Sequence, residues 1–100
     1  MSSLDKPEPR AKEKARLDRA KAKAWRYLQE AVYSRDDGRC RACGRDAWAL
    51  SDVHHIRYRS AGGADTMQNC ILLCRPCHND EHEHLVRITG TADDLTIERR

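Results

Sequence analysis

Two cysteine pairs, Cys40/Cys43 and Cys74/Cys77, carry the most definite chemistry in this chain. Four thiolates complete a tetrahedral zinc and leave no open position, so a site of this composition supports structure and does not react. Zinc binding of this kind is worth about 10–16 kcal/mol in small peptides, more than the net stability of most domains. Loss of the metal is therefore expected to unfold the protein. Two disulfides or an iron–sulfur cluster are the competing uses of the same spacing. The 30 residues between the pairs exceed the roughly 15–20 of a simple zinc ribbon, so a functional insert is expected there. Cys70, between Asn69 and Ile71, reads as a small core residue.

All five histidines lie in that insert or just after it: His54, His55, His78, His82 and His84. His78 and His82 are four residues apart, which places them on one face of a helix where they can share a metal. His54 and His55 are neighbours in an extended segment and point to opposite sides, so at most one of them meets that metal and the other is free for different work. His78-Asn79-Asp80-Glu81-His82 also fits the H-x-x-E-H zinc-peptidase pattern. However, its first histidine abuts a cysteine pair, and 100 residues leave no room for a second substrate-binding lobe.

The elements that must position these groups follow from composition and pattern. Only 39% of the residues are apolar, none is Phe and 35% are charged. The chain fits one small domain whose thin core needs a metal or crosslinks. The first residues lack an apolar signal stretch and no segment is long enough to span a membrane, which leads to the expectation of a soluble, cytoplasmic protein with reduced cysteines. Residues 1–9, with Pro7 and Pro9, read as a disordered lead-in. Residues 10–33 contain no Pro or Gly and read as helix, with Trp25, Leu28 and Val32 as a docking face. Asp36-Asp37-Gly38 ends it. A strand is expected over 50–58, a loop through Ser60, Gly62, Gly63 and Asp65, a buried strand over 69–73 and a helix over 78–84 with Pro76 at its first position. A terminal hairpin pairs 85–89 with 95–98 around a turn at 90–94.

Net charge is only +3, yet residues 10–26 hold eight basic residues against two acidic ones, a local +6. Such a concentration suits a phosphate backbone or an anionic membrane; a solvated helix face is the plainer reading.

The series Val53-His54-His55-Ile56, Gly62-Gly63, Asn69 and Leu72-Leu73-Cys74-x-x-Cys77-His78, then His82, resembles the HNH endonuclease family, in the type whose ββα-metal core is stapled by four cysteines. The resemblance covers about residues 36–84. It implies an α+β fold with residues 34–88 as the nuclease domain; residues 1–33, the lead-in and basic helix, and 89–100, the hairpin or tail, lie outside the motif. It implies a DNA phosphodiesterase that nicks or cuts with a divalent metal. By position, His55 is the general base, Asn69 the orienting residue, and His54 and His78 ligands of the catalytic metal. His82 is either a third ligand or a solvent-facing helix residue, and His84 is surface. Many members have Asp where His54 stands; His shifts preference from Mg²⁺ toward Mn²⁺, Ni²⁺ or Zn²⁺. The chemistry is consistent with these roles: imidazole titrates near pH 6.5 and is a usable base at neutral pH, and a metal acts as Lewis acid on the phosphate. Lys12, Arg16, Arg19, Lys23, Arg26, Arg57 and Arg59 are the expected DNA contacts. The expected setting is the cytoplasm of a bacterial or phage-infected cell, with a phage terminase or another DNA-processing protein as partner. The alternative function is a zinc-stabilised module that binds DNA without cutting it.

Overall fold

The computed structural model describes residues 10–47 and 50–100; the lead-in expected over residues 1–9 lies outside them. Helix α1, Ala11–Arg35, is rich in Ala, Lys, Arg and Glu and is solvent-exposed along its first half. Its last turns dock: Val32 is fully buried, and Trp25, Leu28 and Tyr33 pack around it against Cys70 and Leu72. The helix ends where Asp37 and Gly38 turn left-handed, at φ 55 and 65.

Asp36 ties this end to the rest of the fold. Its side chain is 1% exposed and accepts hydrogen bonds from Arg35 (2.8 Å), Arg41 (2.9 Å) and the Leu72 N–H (3.0 Å). Burial alone would raise its pKa, but these three donors outweigh burial and hold the carboxyl below its ordinary value. Helix α1, the first cysteine turn and the central strand therefore meet at one carboxylate.

Strand β1, Ser51–His55, pairs antiparallel with β2, Cys70–Cys74, with His54 opposite Ile71 and His55 opposite Cys70. Every residue of β2 is buried. Alternation splits its side chains between two clusters: Cys70 and Leu72 lie beneath α1, whereas Ile71 and Leu73, with Cys74 at the strand end, join Cys40, Cys77, Val86 and Ile88. A strand covered on both faces reads as an unbroken apolar run, which is why β2 is legible in the sequence.

Helix α2, Arg75–His82, follows β2 directly. A second antiparallel pair, β3 Val86–Thr91 and β4 Asp94–Arg99, covers the cysteine end. The result is a small α+β fold of two helices and two antiparallel sheets.

Among the element boundaries that differ from the sequence reading, those of β1, α2 and the terminal turn have a visible cause. The first strand, expected over 50–58, stops at His55. Ile56 still donates to the Asn69 carbonyl, but the next N–H, of Arg57, goes to the Asn69 side chain, and the chain turns away. Helix α2 begins three residues earlier than expected, so Pro76 lies within its first turn; it ends at His82 because His84 is left-handed at φ 62. The terminal turn is Ala92-Asp93 only, since the ladder runs on through Gly90, paired with Leu95 at φ 95.

Candidate active site and metal centre

The four cysteines converge. Cys40 and Cys43 come from the turn after α1, Cys74 ends β2 and Cys77 lies in the first turn of α2, and their sulfurs all lie within 4.8 Å of one another. Cys43 Sγ and Cys74 Sγ are 3.8 Å apart, the separation expected when each is about 2.3 Å from one tetrahedral ion. None is in a disulfide. Burial pushes the Cys77 thiol up to about 12, despite an Arg99 guanidinium 3.3 Å from its sulfur. Burial also opposes ionisation of Cys40, but backbone hydrogen bonds at Cys74, Cys43 and Ala42 bring it down to about 7. One ready thiolate among crowded thiols is a donor set that a cation completes. Cys70 stands apart in the α1 core, fully buried, as expected of a packing residue.

The paired histidines separate as the strand period requires. His54 is 4% exposed and faces α2. Its Nε2 is buried without a hydrogen-bond partner among the described residues, 4.0 Å from the Glu81 carboxylate. Burial lowers its pKa to about 4, Glu81 only partly opposing this, so the ring is neutral at neutral pH. Its edge meets the His78 ring, centroids 5.4 Å apart.

His78 is oriented from behind: its Nδ1 contacts Asp52 Oδ2 at 3.0 Å, and Asp52 also pairs with Arg75. A carboxylate on Nδ1 leaves Nε2 as the ligating nitrogen. That Nε2 is 3.1 Å from His82 Nε2, within the about 2.9–3.4 Å spanned by two nitrogens each 2.0–2.1 Å from one ion. His54 joins this pair at ring contact, not at ligand spacing; among the described residues the four cysteines are the tighter cluster. His84, past the helix end, is exposed as expected.

Glu81 and Tyr58 belong to the same cluster; the sequence reading misses Tyr58 and meets Glu81 only in the zinc-peptidase pattern that it sets aside. The Tyr58 hydroxyl lies 2.6 Å from both Glu81 carboxylate oxygens, and burial together with that carboxylate raises the phenol to about 12. A cleft of about 430 Å³ opens beside them, with Arg57, Arg87 and Arg100 on its rim.

His55 lies on the other face of β1. Its Nε2 is 2.7 Å from Asp65 Oδ1, and its ring stacks on Trp25 of α1 at 5.3 Å and 18°. Asn69 does not reach His55. Its Oδ1 accepts from the Arg57 N–H (2.8 Å) and its amide donates to the Arg57 and Ala64 carbonyls (both 3.0 Å). Gly63 allows that loop to close, since a Cβ there would fall 1.8 Å from the Arg57 carbonyl oxygen.

Lys12, Arg16, Arg19, Lys23 and Arg26 are exposed and spaced to share one stripe of α1. That stripe lies opposite the Trp25 side. Lys14 and Lys21 precede Trp25 by about three turns and one turn and follow its side of the helix, and Lys21 lines a second cleft with Trp25 and Asp65. Arg59, expected on a phosphate, pairs with Asp65 at 2.9 Å and lies 4.5 Å from the Trp25 ring centroid. Arg57 remains exposed, donating to the Ala61 carbonyl. No helix of the described residues is long and apolar enough to cross a membrane.

Residues 40–84 match the family model described as HNH endonuclease. The chain is also similar to the type IV methyl-directed restriction enzyme EcoKMcrA of Escherichia coli K12, 39% identical over 67 residues. That match takes in 60% of this chain and 22% of the enzyme, so the chain spans about a fifth of its relative's length. No solved structure matches the chain.

Proposed function

We propose that this protein, whose residues 40–84 match the HNH endonuclease family model, hydrolyses DNA phosphodiester bonds with a divalent metal and is stabilised by a separate zinc in its four-cysteine site. The observation that carries the reading is the division of labour on β1: His54, buried and unpartnered, faces His78 and His82, while His55 on the opposite face retains access to solvent. His78 and His82, at ligand spacing, would hold the catalytic metal, with His54 at ring contact as the further ligand. Mg²⁺, Mn²⁺, Ni²⁺ and Zn²⁺ are the candidates, and three imidazoles favour the softer ones. Such an ion supplies Lewis-acid stabilisation at the phosphoryl and leaving oxygens.

The residues of this chain do the rest. His55 takes a proton from water as the water oxygen bonds to phosphorus, the P–O3′ bond breaks and the 3′ oxygen is protonated; general-base help of this kind is worth typically 10²–10⁴-fold. Asp52 fixes the His78 ring, Asn69 holds the loop that follows β1, and the arginines beside the 430 Å³ cleft offer charge for neighbouring phosphates.

The deciding experiment is conversion of supercoiled plasmid across a panel of Mg²⁺, Mn²⁺, Ni²⁺ and Zn²⁺. Wild type should nick or linearise it, and His55→Ala should retain DNA binding while losing at least 100-fold in rate. Binding without cleavage by wild type over pH 6–9 would leave the non-cutting DNA-binding module as the correct reading.

A further inference from the structure

The hydrogen bonds of the side chain expected to orient the base go to the loop after β1 and not to the His55 ring. Asn69 offers two N–H donors and one carbonyl oxygen; both donors go to loop carbonyls and the oxygen to the Arg57 N–H. What touches the His55 ring comes from two other segments. Asp65, ten residues on, is brought back by the Gly62-Gly63 turn and contacts Nε2 at 2.7 Å. Arg59 grips the same carboxylate through Nε, 2.9 Å from Oδ1, and Nη2, 3.2 Å from Oδ2. Trp25 covers one face of the imidazole, and Arg59 in turn lies against Trp25.

We propose that Asp65 is the positioning residue of His55: it accepts the Nε2 proton, so that Nδ1 carries the free lone pair, while Arg59 fixes the carboxylate and Trp25 fixes the ring plane. A neutral imidazole holds one proton, and a carboxylate at one nitrogen selects the tautomer protonated there. Asp65 is half exposed, so its contribution lies in orientation and tautomer, not in a buried charge. Asn69 acts one step further back, holding the Ala64 carbonyl beside Asp65. Helix α1 thus supplies a wall of the site as well as positive charge.

The tautomer claim stands on geometry alone, whereas its catalytic consequence rests on the nuclease reading. The test separates them. In the zinc-loaded chain, long-range ¹H–¹⁵N spectra at pH 8 should show His55 protonated at Nε2, and Asp65→Asn should move it toward Nδ1 protonation. In the plasmid assay Asp65→Asn should lower kcat at least tenfold with KM within twofold, and Asp65→Glu should recover part of the loss. A wild-type His55 protonated at Nδ1, or an Asp65→Asn variant with unchanged spectrum and kcat within twofold, overturns the proposal. A tautomer change in a protein that cuts no DNA upholds the positioning and removes the nuclease reading alone.

Discussion

Asp36 shows how much one side chain can hold in a domain with a thin core. Three donors from three segments meet on its carboxylate, and removing the charge leaves Arg35, Arg41 and the Leu72 N–H facing a group that no longer matches them. Asp36→Asn should cost about 3 kcal/mol or more in denaturant unfolding at pH 7. Its pKa is lowered on folding, so the unfolded state binds the proton more tightly and the stabilisation is present above the unfolded value of 3.8. The gap between wild type and Asp36→Asn should be full at neutral pH and close as pH falls through that lowered pKa. In the sequence Asp36 reads only as part of a helix stop, because its donors lie as far as 36 residues away. The same limit applies at the site. The opposite facing of His54 and His55 follows from strand period alone, whereas Asp65, Tyr58, Glu81 and Asp52 reach the histidines through a loop, or across from strand to helix, with no periodic signal.

At the scale of elements, what is legible is whatever one segment can say about itself. Helix α1, β2 and the hairpin announce themselves by periodicity or by an apolar run. Their ends do not, because an Asn69 side chain stops β1 and a left-handed His84 stops α2. Local charge is legible in the same sense: the surplus on α1 is plain, but not which stripe of it adjoins the histidines. Lys21 shares a cleft with Trp25 and Asp65, and Lys14 is aligned with it two turns earlier. Substituting Lys14 and Lys21 by Ala should therefore lower the slope of log binding constant against log salt by about 2, near 0.9 for each phosphate no longer neutralised. Cleavage should fall with it. The same pair of changes at Lys12 and Arg16, on the far stripe, should change both less. Equal effects would show that DNA passes along the whole circumference of the helix.

For the molecule as a whole, the four-cysteine site takes the place of a core. The buried clusters are small, and the larger one includes Cys40, Cys74 and Cys77 themselves. Chelation, Cys43→Ala or Cys77→Ala should abolish the cooperative thermal transition, as expected where metal binding and folding are one equilibrium. Cys70→Ala, which touches only the α1 cluster, should keep full zinc content by metal analysis and melt cooperatively at a lower temperature. A metal held by the four cysteines would also join residues 40–43 to residues 74–77, and so make a closed ring of the intervening chain, which contains β1, His54, His55, Asp65 and Asn69. Within that ring, residues 57–61 run exposed at the surface and include two arginines. A trypsin cut there would separate the protein into two peptides without separating the molecule. Its halves would travel together through a sizing column, each keeping its own part of the site, until a chelator released one from the other.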